Sequence, residues 1–289
     1  MATHKDTLPG APKRVQPPPS PARLGPLGST PAKYRTTAVL AATSYIGDSP
    51  LFFVDFILRL ARVVVLLSIW RTIFAGRGPV AGISLGAVLT YTLVAEAFAD
   101  PLNVRSELGN ALWQGAIAVR LLQPFGIVGQ FVAETFGRWM IGFCCFSLPL
   151  LLVAPLLGVN PLPESPTAAA WFLVSLVLAV AVGFALDFIF TVLIVAMETS
   201  LWGIEYLRRG LTTLLSGALL PLALLPWGIG TIFGWLPFAA MASAPLRLYT
   251  GTGDPRVLLP LQAFWAIVLA LVARRLWRSH REGLVGYGG

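Results

Sequence analysis

Asp187 is the ionisable residue that lies deepest within an apolar run of this 289-residue chain. A carboxylate inside an apolar helix costs a few kcal/mol in a bilayer unless water or a partner group meets it. The residues leave two interpretations open. Asp187 lines a translocation path and attracts cationic substrates, or it hydrogen-bonds to a neighbouring helix. Glu96 and Glu198 lie near the predicted ends of apolar runs, where we expect water to solvate them.

A second charged group stands at the start of the first apolar run. Asp55, Arg59 and Arg62 follow one another at spacings of four and three, which places them on one face of a helix. Such a group can be a self-paired turn whose long side chains reach the water at the membrane surface. It can also be a substrate site. We favour the first interpretation.

No catalytic combination of residues is recognisable in this chain. No lysine follows a glycine, so no phosphate-binding Walker A loop is present. The string GISLG over 82–86 matches a hydrolase nucleophile motif, but it stands in an apolar run, and both histidines lie outside such runs, at positions 4 and 280. A histidine zinc site within the membrane is excluded for the same reason. We therefore expect no catalytic residue, no metal and no cofactor in this chain.

Two patterns of small side chains concern packing rather than chemistry. Cys144 and Cys145 are adjacent in an apolar run, and we interpret them as buried free thiols. Gly78, Gly82 and Gly86 recur at every fourth residue, a pattern that lets membrane helices approach closely. The pattern does not say which helix they pack against.

The composition is that of an integral membrane protein with several spans. Hydrophobic residues make up 56% of the chain, charged residues only 12%, and the mean hydropathy is +0.76. The net charge of +8 comes from basic residues scattered along the chain, which predicts membrane topology rather than nucleic-acid binding. The first 30 residues lack an apolar core segment, so we expect no signal peptide there.

The chain divides into a tail and one all-α membrane domain. The Pro-rich residues 1–31 are predicted to be a disordered cytoplasmic tail. The membrane domain covers 32–289 and begins with an interfacial helix over 32–49. Six predicted transmembrane helices follow, at 52–75, 79–99, 139–157, 167–197, 211–226 and 257–273.

An uncharged stretch over 211–246 is too long for one span and too broken for one helix. Four prolines and three glycines interrupt its second part, and each proline removes a helix hydrogen bond. We predict the fifth span followed by a segment that dips back into the bilayer. Irregular backbone at that depth must be covered by protein or line a water-filled cavity, so we expect a translocation path or a subunit interface here.

The longest polar stretch after the tail, residues 100–138, predicts a short helix over 106–122 that stops before Pro124. With six spans, this stretch, both termini and the turn holding Arg208 and Arg209 share one face. That face carries most of the basic residues, which predicts that it is cytoplasmic.

The order of these segments resembles the permease subunits of ABC-2-type exporters, over about residues 34–289. The most specific pieces are GAIAVRLLQP at 115–124 and the stretch over 215–251. The resemblance implies a coupling helix that rests on an ATPase subunit, formed by Gly115, Ile117, Arg120, Leu121, Leu122 and Pro124. It also implies outer re-entrant helices over 226–245 that close an extracellular gate and include Pro226, Trp227, Trp235, Pro237 and Pro245.

The resemblance also implies partners and cofactors. A separate ABC ATPase would bind ATP and Mg²⁺, and a second permease, identical or similar, would complete an assembly of two permeases and two ATPases in the cell membrane of a bacterium. The cargo expected from the apolar interior is a drug, antibiotic or lipid. The alternatives are a self-sufficient ion-coupled transporter, which would need a proton or ion relay, and a membrane scaffold or insertion factor; a membrane-embedded enzyme is the weakest of them.

Overall fold

A computed structural model describes residues 30–47, 52–122, 126–197 and 200–280, and 80% of the structure is helical. No strand occurs in the described ranges; only Val80 and Ile83 form an isolated bridge. The α-helices in chain order are α1 Thr30–Gly47, α2 Phe52–Phe74, α3 Leu85–Ala97, α4 Ala99–Leu102, α5 Leu108–Trp113, α6 Ile117–Leu121, α7 Ile127–Gly142, α8 Leu148–Val153, α9 Pro166–Ala196, α10 Leu201–Leu215, α11 Ile229–Gly234, α12 Pro237–Met241, α13 Ser243–Tyr249 and α14 Pro255–Ser279.

Three helical stretches of the described chain are long and apolar enough to cross a bilayer: Ile127–Leu157, Pro166–Ala196 and Pro255–Ser279. The first joins α7 and α8 through a π-helical turn, Phe143–Ser147, and ends in a 3₁₀ turn. The helix α2 has 23 residues, about 35 Å, but it carries four charged side chains. The apolar helix α3 is shorter, with 13 residues. The structure thus contains clear spans, and the total of six stays a prediction.

The long helix α9 is the central element of the fold. It contacts α14 along much of its length and also packs against α10, α12 and α13. Its side chains over 182–195 are all buried or half-buried, and Phe172, Ala179, Val182 and Val192 belong to the core. Because α9 is apolar on all sides, no polar face limits which helices can surround it.

The third and fifth predicted spans begin at other residues in the structure than in the prediction. The stretch containing the third span begins at Ile127 rather than 139, because Arg138 and Glu134 pair with other elements and do not end the helix. The predicted fifth span, 211–226, is not one helix. Helix α10 begins at Leu201, where Ser200 caps it, and ends at Leu215, before Gly217 adopts a left-handed φ of +77°.

The predicted glycine repeat does not pack against a helix. Nothing lies within 4 Å of a Cβ added at Gly78 or Gly82, and Gly86 meets only Ser84 of its own turn. Two hydrogen bonds between Val80 and Ile83 close a tight turn, with Ala81 and Gly82 both at positive φ. This turn delays the start of α3 to Leu85, six residues after the predicted start at 79.

The close helix approach occurs instead between α1 and α7. Small residues at 129, 133 and 137 form a stripe along α7, and α1 lies against it. A Cβ added at Gly137 would lie 2.1 Å from the carbonyl oxygen of Ala38, and one at Gly129 would meet the ring of Tyr34 at 2.7 Å. The N-terminal helix therefore packs directly on the bundle.

The interpretation of Cys144 and Cys145 as buried was wrong. Both thiols are free but exposed, because they lie in the π-helical turn between α7 and α8. The wider turn rotates the residues after Gly142 relative to a regular helix and places both cysteines on the outer, apolar surface of the bundle.

Candidate functional site

The ion pairs between helices gather at one end of the bundle, the end predicted to face the cytoplasm. They join the helices α2, α3, α4, α6, α7, α9 and α10 and the segment 103–107. The pairs are Arg59–Asp100, Arg62–Glu96, Arg105–Glu205, Arg138–Glu107, Arg120–Glu134 and Arg208–Asp187.

Asp187 forms a buried ion pair with Arg208. The carboxylate is 6% exposed and accepts a hydrogen bond from Nη1 of Arg208 at 2.8 Å. The backbone N–H of Ser106 donates to the same carboxylate at 3.1 Å, and the Ser106 hydroxyl contacts it as well. Of the two interpretations, the hydrogen bond to a neighbouring helix is present, and it joins α9 to α10. Asp187 also lies on the wall of a cavity, so its part in a path stays a prediction.

Arg208 in turn contacts the chain just ahead of the predicted coupling helix. Its Nη1 also donates to the carbonyl oxygen of Val104 at 2.9 Å, and its Nε donates to Glu205 at 3.2 Å. Arginine keeps its proton in proteins at neutral pH, so the buried guanidinium of Arg208 is a cation. One side chain thus joins α9, α10 and residues 104–106.

Glu96 is not solvated, contrary to the prediction from its position. It is buried at the end of α3 and pairs with Arg62 of α2. Arg59 reaches Asp100 of α4 at 3.5 Å and lies 5.7 Å from the ring of Phe146. The two arginines of α2 therefore bind carboxylates of α4 and α3, partners that neither interpretation of this group had included. Glu198 lies outside the described residues.

The predicted helix over 106–122 is two short helices, α5 and α6, with Gly115 between them. Gly115 has a φ of +67°. Its N–H donates to the carbonyl oxygen of Leu112, and the N–H of Ala116 donates to the carbonyl oxygen of Ala111. These two hydrogen bonds end α5 in the manner of a Schellman motif, which needs glycine at the left-handed position. The chain therefore turns at Gly115 before α6 begins.

The residues assigned to the coupling helix divide into inward and outward sets. Ile117 is buried in the core, and Arg120 bridges to Glu134 at 2.6 Å over the ring of Phe131. Leu122 is 85% exposed, and Val119 and Trp113 are exposed as well. The side chain of Leu121 and all of Pro124 lie outside the described residues. The apolar surface of α5–α6 is formed by Trp113, Val119 and Leu122.

A charged cavity of about 500 Å³ lies behind these helices, between α7, α9, α10 and residues 100–110. Its lining includes Arg105, Glu107, Arg138, Trp202, Glu205 and Arg209. Burial, together with the guanidiniums of Arg208 and Arg209, lowers the pKa of Arg105 to about 10. Arg105 is therefore still a cation at neutral pH. Among the described residues, no group of three His, Cys, Asp or Glu side chains could hold a metal ion.

The segment predicted as the outer gate is a series of short helices at the other end of the bundle. A 3₁₀ turn, Pro226–Gly228, precedes α11, and Pro237 begins α12. Trp227 is exposed at a left-handed φ of +59°, and Trp235 is exposed while its carbonyl accepts a hydrogen bond from Trp265 at 2.9 Å. Pro245 is buried within α13. The segment is thus irregular, as predicted, and contains both exposed and packed residues.

Two buried polar side chains, Gln262 and Tyr91, hold this segment and the turn before it in place. Gln262 of α14 donates to the carbonyl oxygen of Ala240 at 2.7 Å and accepts from the hydroxyl of Ser175 at 2.7 Å. The hydroxyl of Tyr91 donates to the carbonyl oxygen of Gly217 at 2.7 Å. These contacts satisfy backbone groups that the broken helices leave without helical partners.

The segment before the predicted coupling helix and the helix α12 of the outer segment both approach α9 at Gly183. A Cβ added there would lie 2.4 Å from Cγ2 of Val104, which precedes the predicted coupling helix, and 3.4 Å from Cε of Met241 in α12. Val104 is fully buried. Val104 and Met241 therefore both pack against α9 at this glycine.

The sequence analysis missed Arg208 and Gln262 as site residues. Arg208 was counted among basic loop residues, although it stands 21 positions after the carboxylate it pairs with. Gln262 is a lone amide in an apolar helix, and a polar side chain in such a place usually has a partner. The lone amide in an apolar helix could have identified Gln262 as a site residue, but it could not have identified the groups that Gln262 contacts.

Comparison with known proteins gives one family. A family model described as ABC-2 family transporter protein matches residues 60–288. These residues include α3 to α14 and nearly all of the charged end and the broken outer segment. A comparison with curated proteins found none that matches the chain.

Proposed function

The chain belongs to the ABC-2 family of transporter proteins, and from that premise we propose that it is the permease subunit of an ATP-driven exporter. It is a multi-pass membrane protein with a role in transport. The proposal adds a separate ABC ATPase that binds ATP and Mg²⁺, a second permease subunit, and a hydrophobic or amphiphilic cargo that leaves from the cytoplasm or the inner leaflet.

Six spans and cytoplasmic termini are part of this proposal. In the proposed topology, α2, α3, α7–α8, α9, α10 and α14 are the six spans and run alternately between the charged end and the outer segment. The charged end holds Arg59, Arg62, Arg105, Arg138 and Arg208, and basic residues near span ends mark the cytoplasmic side. At the opposite end, Arg71 contacts the carbonyl of Leu157.

The single observation that carries the proposal, beside the family, is the apolar surface of α5–α6. In the proposed orientation it lies in the cytoplasmic connection between α3 and α7, where no lipid chain would cover it. Exposed Trp, Val and Leu side chains on a short helix fit a groove on a protein partner. The firm packing of Ile117 and Arg120 behind this surface makes it a rigid contact that can transmit a push.

The proposal is tested by capture of the ATPase. We expect the affinity-tagged permease to bring down an ATPase with a Walker A loop, encoded beside its gene, and export to stop when the lysine of that loop is replaced. Export that continues without any captured ATPase would contradict the proposal and favour an ion-coupled transporter.

Leu122→Asp is expected to weaken ATPase capture at least tenfold, about 1.4 kcal/mol, because it places a carboxylate in an apolar contact. The side chain is exposed, so we expect the fold to tolerate the change. Leu162→Asp, the same substitution at an exposed position of the opposite end, is the matched control. Equal capture by the two variants would show that α5–α6 is not the ATPase contact.

A further inference from the structure

The described residues that line the charged cavity carry four guanidiniums and four carboxylates, but these charges are unevenly placed. The guanidiniums belong to Arg105, Arg138, Arg208 and Arg209, and the carboxylates to Asp100, Glu107, Asp187 and Glu205. Arg138 pairs with Glu107, and the other three guanidiniums pair with Glu205.

Guanidiniums outnumber carboxylates on the wall formed by Glu205. Arg105, Arg208 and Arg209 all pair with this one carboxylate, and within the described part of the chain the one further carboxylate paired with any of them is Asp187, through Arg208. The side chains of Arg105 and Arg209 stay 40% and 54% exposed. Each guanidinium carries five N–H donors, and one Glu205 oxygen is shared between these two. Donors for a further anion are thus present on this wall.

An exposed aromatic strip continues from the cavity along α10. Trp202, Tyr206 and Arg209 follow at spacings of four and three, so they share one helix face. Both aromatic side chains are exposed, and Trp202 also lines the cavity. Further along the helix, in the direction away from the charged end, Leu214 is exposed too. A charged recess and an apolar path therefore adjoin each other.

We propose that the charged cavity binds the anionic headgroup of an amphiphile, with a phosphate or carboxylate at Arg105 and Arg209 and the apolar chain along Trp202 and Tyr206. Planar guanidiniums match the geometry of these anions and form strong charge-assisted hydrogen bonds with them. The volume of about 500 Å³ is large enough for a headgroup. The inference deepens the proposed function, because it rests on the proposed orientation, in which the cavity opens at the inner leaflet.

The test measures the thermal unfolding of the purified permease in dodecyl maltoside micelles with three probes. Dioctanoyl phosphatidylglycerol supplies an anionic headgroup, dioctanoyl phosphatidylcholine the same chains with a net neutral headgroup, and inorganic phosphate an anion without chains. We expect phosphatidylglycerol to raise the unfolding temperature in a saturable manner, at concentrations at least tenfold below those of the other two probes.

The variant for this test removes both exposed guanidiniums, Arg105→Gln with Arg209→Gln. We expect its apparent Kd for phosphatidylglycerol to rise at least tenfold. Arg275→Gln removes one charge from an exposed position near the same end of the bundle, on α14, and is the control, with a change below twofold. If the double variant is unfolded without ligand, the test depends on the unaltered protein alone, through the order of the concentrations at which the three probes raise its unfolding temperature.

Three results would overturn the inference. If phosphatidylcholine binds as tightly as phosphatidylglycerol, the site does not recognise an anionic headgroup. If inorganic phosphate alone produces the whole shift in unfolding temperature, the apolar chain does not contribute to binding. Arg275→Gln that weakens binding as much as the double variant would show that only overall charge matters. The assay needs no ATPase, so its result is independent of whether the ATPase is captured.

Discussion

Replacing Arg208 by methionine is expected to lower the free energy of unfolding by about 3–5 kcal/mol. The substitution leaves the buried carboxylate of Asp187 with only the Ser106 contacts, because the cation that balances it is lost. Val104 also loses a donor to its carbonyl oxygen. Titration of sodium dodecyl sulfate into mild-detergent micelles, followed by circular dichroism, measures the change.

The chain offers a control one residue further on. Arg209→Met removes the same charge from a side chain that is 54% exposed and pairs only at the surface with Glu205, so we expect a loss below about 1 kcal/mol. A second variant replaces both partners, Asp187→Leu with Arg208→Met, and should recover much of the stability lost in Arg208→Met. Equal losses of unfolding free energy in Arg208→Met and Arg209→Met would show that the buried ion pair contributes no more to stability than the exposed one.

The same residues separate the proposed exporter from an ion-coupled transporter. In such a transporter, Asp187 would exchange protons during transport, and Asp187→Asn would abolish transport while ATPase mutations had no effect. The structure favours the opposite result, because Arg208 and Ser106 already occupy the carboxylate. On the proposed function, loss of the ATPase stops export and Asp187→Asn acts mainly through stability.

Replacing Gly230 by alanine is expected to cost up to about 3 kcal/mol of unfolding free energy. A Cβ at this position would lie 1.8 Å from the carbonyl oxygen of Leu222 and 2.7 Å from its carbon. The obstacle is backbone that a 3₁₀ turn holds, since the same oxygen accepts from Leu225 at 3.1 Å. Helix α11 must therefore move away from residues 222–224. Unfolding in mild-detergent micelles measures the cost.

Gly234→Ala is the matched control, because it makes the same change in the same helix where nothing lies within 4 Å of the new Cβ. We expect no loss of stability there, and a gain of about 0.4–1 kcal/mol from the stiffer unfolded chain. On the proposed function, Gly230→Ala also reduces export while ATPase capture stays unchanged, the reverse of Leu122→Asp. If Gly230→Ala is as stable as Gly234→Ala, the close contact of α11 with the 3₁₀ turn is absent.

The contact at Gly183 suggests how a push from the ATPase would reach the outer segment. Residues 104–106 are held by Arg208 and Asp187 from one side, and Val104 packs on α9 beside Met241 of α12. We propose that motion of α5–α6 travels along this route. Residues 104–106, α9 and α12 come from distant parts of the chain and meet only in the folded structure.

Much of the fold could be predicted because membrane helices are built from local patterns. The fourth span, predicted at 167–197, is helix α9, Pro166–Ala196, since Ser165 and Pro166 mark its start and uninterrupted apolar residues continue it. The prolines and glycines over 217–245 predicted broken helices for the same local reason, as they remove hydrogen bonds or adopt left-handed φ wherever they occur. The interruption of the helix over 106–122 escaped prediction, although Gly115 was the local signal for it.

Other features were decided only by tertiary structure. The stripe of small residues on α7, rather than the repeat at 78–86, became the close helix contact, because a small residue acts only where another backbone arrives. Likewise the sequence identified Asp187 as a costly carboxylate but not Arg208 as its cation, since the pairing depends on how α10 packs against α9. By itself, the sequence determined where helices form and where they break. The positions at which charges and backbones meet followed from long-range packing, which no local pattern encodes.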